Sequence, residues 1–392
     1  MTDMKRTIRI KEFKPSILRV HVPEDSYIKK STGLQENIAY MQKTDDQGFL
    51  KSYLDLSSNN KVVIIGDSFV ETIFVNESKR IHSLVEEKLL KNFYKNIKVY
   101  NAGVSGATGI NILNTIINKI AFMKPEILIY IQPSCDFTAL QFENGYSNNS
   151  KFFSNFTPND SFNEKIFFET IEENSYQILN NIKTINYICK LNNIKLCIAT
   201  CCSNSSRRQL NIMNNIILKN SHIGYDVIDL DSLYPNKSSE FFYDKQHINE
   251  KGCDFLSDIL SEYINSTIKS EDHKYTIKKT NLIESKKEIN NHLTISHSIG
   301  IFKPNKVSVN FTFNSAMGRK ESKSIKITAK YKISNEYHSE ETFVLPYISG
   351  YKMNFSINLK KNILNSIEIK IESEIIDLVL EHCELCVVHS MS

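Results

Sequence analysis

The chain has 392 residues, 41% hydrophobic and 23% charged, which is apolar material enough for more than one globular core. Its 48 basic residues nearly balance 44 acidic ones, and a net charge of +4 gives no bulk attraction to nucleic acid or an anionic membrane. No run of about 18 apolar residues occurs, so no membrane span is expected, and the charged start Met1-Thr-Asp-Met-Lys-Arg6 does not read as a secretory signal. Eight cysteines scattered through apolar segments then read as reduced thiols, and the expected location is cytoplasmic.

Residues 1–58 carry Pro15, Pro23 and a Thr44-Asp-Asp-Gln-Gly-Phe49 turn, and are expected to wrap the following domain as an irregular leader. From 59 to 268, short apolar runs alternate with helical stripes. Strands are expected at Lys61–Ile65, Ile97–Tyr100, Glu126–Ile131, Ile194–Thr200 and Tyr225–Leu230. Helices are expected from Ile81 to Leu89 and over 109–122, 164–192, 206–220 and 250–266. Strict alternation of this kind implies a parallel sheet covered on both faces, an α/β/α domain.

Residues 269–291 are rich in Lys, Glu, Asn and Ser and read as a linker. Seven segments of period-two alternation follow within 292–392, beginning at Leu293–Ile301 and ending at Leu378–Val388. They predict an antiparallel β-sandwich of the jelly-roll or immunoglobulin-like kind.

Two stretches carry chemistry. In Val63-Ile-Ile-Gly-Asp-Ser68 a buried strand runs straight into a turn, which puts Ser68 at the carboxyl edge of the sheet, where open α/β domains bind ligands. Gly66 permits the tight turn there. In Asp244-Lys-Gln-His247, just before the last helix, an acid and an imidazole three residues apart can reach one serine. His247 is the candidate general base, and Asp244 the group that orients it. Asp229 and Asp231 are the alternative acids.

The Ser68 block, the Asn101-Ala-Gly-Val-Ser-Gly106 block and the Asp244-x-x-His247 block, in this order, resemble the SGNH/GDSL hydrolase family across about residues 61–266. The resemblance implies a flavodoxin-type sheet and a Ser68-His247-Asp244 triad. It also implies an oxyanion hole using the amides of Ser68 and Gly106. Where the family has Gly-x-Asn-Asp, this chain has Gln132-Pro-Ser-Cys-Asp136. Cys135 stands in place of the asparagine donor, and Ser134, Gln132 or Cys135 itself are the candidates to replace it. The implied activity is hydrolysis of small O-acyl esters, above all acetyl on carbohydrate, with no metal or organic cofactor. Two alternatives stay open: an O-acetyltransferase that uses an acetyl donor to modify a surface polysaccharide, and a non-catalytic glycan-binding protein.

Other candidates have plainer readings. Cys383-Glu-Leu-Cys386 lies in an expected strand, where residues three apart face opposite sides, so its flanking His382 and His389 complete no metal site. Cys201-Cys202 reads as buried packing and Arg207-Arg208 as a solvated helix face.

Overall fold

The computed structural model describes residues 6–157, 170–204, 208–234, 240–269, 274–302, 304–316, 321–332, 338–359, 364–375 and 377–391. In the leader, β1 (Thr7–Ile8) pairs with β7 (Phe156–Thr157), while β2 (Leu18–His21) and β3 (Ile38–Lys43) pair with each other. The α/β domain is built on β4 (Lys61–Ile65), β5 (Lys98–Asn101), β6 (Ile127–Ile131), β8 (Lys195–Ala199) and β9 (Asp226–Ile228). These five strands are parallel, in the order β5-β4-β6-β8-β9, so the first strand of the domain lies between the second and the third. That is the flavodoxin-type order, with its switch point beside β4.

The strand residues explain the layers. Val63 and Ile65 of β4 pack with Ile112, Ile116, Ile182 and Met213 on one face of the sheet. Val62 and Ile64 pack with Leu84, Leu89, Leu256 and Leu260 on the other. Alternate residues of the apolar run Val62–Ile65 thus feed two helical layers. The helices at Ile81–Phe93, Tyr176–Leu191, Arg208–Lys219 and Glu250–Thr267 fall where the apolar stripes place them. The start of the 164–192 helix and Arg207 lie outside the described residues.

The C-terminal region is a β-sandwich. One sheet has the order β12 (His292–Phe302), β17 (Leu364–Ser373), β14 (Ser322–Lys332), β15 (His338–Ile348). The other begins with β10 (Lys274–Asn281), β18 (Val379–Met391), β13 (Lys306–Asn314) and β16 (Lys352–Leu359), with β11 (Lys287–Glu288) also on β18. This sheet corrects two sequence expectations. Residues 274–281 and 287–288, read as linker, are strands that cover the edge of β18. Their lysines hid them, yet charged side chains are what edge strands carry.

The leader is the second correction, because it is not irregular throughout. Its β3 joins the same sandwich sheet, parallel to β16, with Ile38 opposite Lys352. Ala39 and Met41 enter the sandwich core, while Tyr40 packs on Phe74 and Gln42 bonds Glu71 in the α/β domain. A strand of six residues buried on both faces therefore ties the two domains together.

The fully buried Arg80 fixes this strand. Its guanidinium donates to the carbonyls of Met41 (2.7 Å), Val75 (3.1 Å) and Ile73 (3.4 Å). Arg80→Met removes the guanidinium from those carbonyls and is expected to destabilise the fold by about 2–3 kcal/mol in chemical denaturation. An unchanged unfolding midpoint would show that the guanidinium does not hold β3.

Candidate active site

Ser68 opens a short helix, Ser68–Glu71, directly after β4. Gly66 has no room for a side chain, since a Cβ there would stand 2.4 Å from Val70 Cγ2 and 3.2 Å from the Ile131 carbonyl. Its role is this close approach. Asp67 accepts the Phe69 amide at 3.0 Å and caps the helix. The other Asp67 oxygen accepts the Ser134 hydroxyl at 2.7 Å and the Cys135 amide at 3.3 Å, which ties the loop after β4 to the loop after β6.

The Asp244–His247 turn comes from the far end of the domain. Asp244 Oδ1 accepts the amides of Gln246 and His247, both at 2.7 Å, so the carboxylate organises its own turn. Asp244 Oδ2 lies 2.7 Å from His247 Nδ1, and His247 Nε2 lies 2.8 Å from Ser68 Oγ. Tyr243 stacks on the imidazole at 5.5 Å between ring centroids. The three residues singled out in the sequence thus form one hydrogen-bonded chain. The alternative acids stand elsewhere: Asp229 accepts from Thr200 and Ser232, and the Asp231 amide bonds Thr200.

Electrostatics follow from that chain. Burial alone would raise the Asp244 carboxyl, but its bonds from His247 and Tyr27 hold it well below the usual carboxylate range. Burial works against charge on His247, yet the Asp244 bond and charge, with Asp67 and Glu71 nearby, raise it above its ordinary value. The imidazole is therefore a stronger base than a free histidine.

Gly106 sits at φ +72°, a left-handed conformation that a side chain would strain. The N–H groups of Ser68 and Gly106 make no hydrogen bond among the described residues. The loop between them is held by Glu71, which accepts the Ser105 amide at 2.6 Å and also the Ser105 hydroxyl.

The position of the missing asparagine is resolved in part. The Ser134 hydroxyl proton is directed to Asp67, so none is left for a bound oxyanion. The Gln132 amide donates to Asp136 at 2.7 Å and accepts from Tyr130. Cys135 starts the short helix Asp136–Ala139, and burial followed by the charges of Asp67 and Asp136 pushes its thiol well up. It is neither a thiolate nucleophile nor a good donor. Asp136 itself is fully buried, and burial pushes it up to about 7 despite bonds from Tyr146, Gly109 and Gln132.

Among the remaining cysteines, Cys383 faces the sandwich core and Cys386 the separate cluster around Tyr53 and Leu90. Cys201 and Cys202 are buried, and Arg208 is exposed and paired with Glu172. Among the described residues, no group of three or more His, Cys, Asp or Glu could hold a metal.

Two residues at the site went unnoticed in the sequence. Tyr27, in the leader, donates to Asp244 Oδ2 at 2.5 Å across 217 residues, and nothing local to Tyr27 signals it. Glu71 offered one cue: it is an acid in an apolar helical turn just after the serine. The His247 imidazole is expected to titrate above about 6.5 by NMR. Tyr27→Phe removes a donor from Asp244, leaves the carboxylate more negative and should move that midpoint up by about 0.5–1 unit. Asp244→Asn should move it down. A Tyr27→Phe midpoint equal to that of the unaltered protein would remove Tyr27 from the chain.

No protein-family model matches the sequence, and no curated protein matches it. Solved structures do match part of it. A lipase/acylhydrolase from Enterococcus faecalis is 16% identical with a TM-score of 0.40, over 54% of this chain and 99% of that one. The acetyl xylan esterase AlAXEase is 16% identical with a TM-score of 0.39, over 52% and 99%. The psychrotrophic esterase EstA from Pseudoalteromonas sp. is 14% identical with a TM-score of 0.39, over 53% and 97%. Each is similar to about half of this chain.

Proposed function

We propose that the protein is a serine ester hydrolase of the SGNH/GDSL type, acting on O-acyl esters through an acyl-enzyme. The observation that carries this reading is the Ser68–His247–Asp244 chain at the carboxyl edge of the sheet, with bonds of 2.8 and 2.7 Å. Ser68 Oγ attacks the ester carbonyl as its proton passes to His247 Nε2. The imidazolium is stabilised by Asp244, which stays ionised. Charge developing on the carbonyl oxygen is met by the unpaired amides of Ser68 and Gly106. His247 then gives its proton to the leaving alcohol, and water, activated by the same imidazole, releases the acid.

A small acyl group, acetyl above all, on a carbohydrate is the substrate we infer, on the motif resemblance. A second reading, transfer of the acetyl group from a donor to a glycan acceptor, draws on one observation. A cleft of about 460 Å³ lies between the domains, with Asn76, Asn310, Thr312, Asn354, Ser356 and His382 in its lining and Ser68, Asp244 and His247 outside it. Such amides and hydroxyls suit a polyhydroxylated ligand. A purely glycan-binding role is less well supported, because it leaves the assembled Ser68–His247–Asp244 chain without a use.

A fluorophosphonate should label Ser68, and Ser68→Ala should abolish both labelling and turnover of p-nitrophenyl acetate with the fold intact. Asp244→Asn should lower kcat about 10³–10⁴-fold. Labelling that survives Ser68→Ala places the nucleophile elsewhere. Release of both p-nitrophenol and acetate without a glycan acceptor supports the hydrolase, whereas sustained p-nitrophenol release only with an acceptor, with the acetyl group recovered on the glycan and no free acetate, supports the transferase.

A further inference from the structure

The gap left by Cys135 is faced by a cation from the leader. Lys11 reaches across the carboxyl edge of the sheet, and its Nζ donates to the Gly106 carbonyl at 2.6 Å. The contact is close enough that a Cβ on Gly106 would stand 2.9 Å from the ammonium. The backbone around Lys11 is anchored to the helix Gly109–Thr115, where Asn111 Nδ2 donates to the Arg9 carbonyl at 3.4 Å. Next to it, Glu12 pairs with Lys119 at 3.0 Å. Lys11 itself has no carboxylate partner among the described residues. Burial first, and then Arg9 on its own segment, work against the charge of Lys11 and lower its pKa, and the protonated Cys135 thiol across the site supplies no compensating charge.

A half-buried ammonium without a counter-ion is costly unless something anionic comes to it. What comes to this place, on the reading above, is the oxyanion of the tetrahedral intermediate. We propose that Lys11 stands in for the missing asparagine of the oxyanion site, holding Gly106 so that its amide faces the substrate and adding positive charge beside the developing oxyanion. A carbonyl takes one of the three ammonium protons, and two remain. Lys11 is thus a positioning and electrostatic residue, and the leader is part of the site. The inference rests on Ser68 being the nucleophile, so the test reads both separately.

Phosphonylation of Ser68 also passes through an anionic, oxyanion-like transition state, and its rate needs no knowledge of the natural substrate. Lys11→Met should slow labelling by a fluorophosphonate about 10–100-fold and lower kcat on p-nitrophenyl acetate to match, with KM unchanged. Lys11→Arg, which keeps the charge, should recover most of the loss. Cys135→Asn should accelerate the reaction more in the Lys11→Met background than in the unaltered protein, because the two groups serve one charge. Normal labelling and kcat in Lys11→Met would overturn the role of Lys11 alone. So would a change confined to KM, or equal gains from Cys135→Asn in both backgrounds. No labelling of Ser68 in the unaltered protein would overturn the serine mechanism, and Lys11 with it.

Discussion

A 2.8 Å hydrogen bond joins His247 to Ser68 across 179 residues of chain, and most of the features around it serve to keep it that short. A serine hydroxyl becomes nucleophilic only where a base lies within hydrogen-bond reach, so an error of an ångström at this contact removes the chemistry. The parallel sheet brings the two segments to the same edge. Asp244 then fixes the imidazole from behind with one oxygen and shapes its turn with the other. Asp67 performs the corresponding task in front, capping the Ser68 helix while it holds the loop after β6.

The leader joins three parts of the molecule. Its β3 lies in the sandwich sheet, Arg80 pins it to the α/β domain, and Tyr27 reaches Asp244. Packing on both faces of one strand makes the sandwich a neighbour of the site's supports, since Gln42 of β3 bonds the Glu71 carboxylate that holds Ser105. A displacement of the sandwich would therefore be felt at the loop that presents Gly106.

The sheet and its order of helices were legible because β4, from Val62 on, and β6 are short apolar runs and the helices between them carry clean stripes. Ser68, Asp244 and His247 were legible because each sits in a turn that follows or precedes such an element. The strand at 274–281 was not, since Lys274, Lys278 and Lys279 look like linker when the partner strand is unseen. Tyr27 and Lys11 were invisible for a related reason. Each acts through a single long-range contact, and local sequence holds no trace of a partner 217 or 95 residues away. The choice among substitutes for the asparagine donor at Cys135 also needed coordinates. Only they show that the Ser134 hydroxyl is already spent on Asp67.

The central claim is that Ser68 carries the acyl group during turnover. Acid quenching of the protein during steady-state turnover of an activated acetyl ester, followed by peptide mass spectrometry, tests it most directly. The account predicts one acetyl group on the peptide that contains Ser68. Turnover with no acylated peptide, or with the acetyl group on another residue, would contradict it.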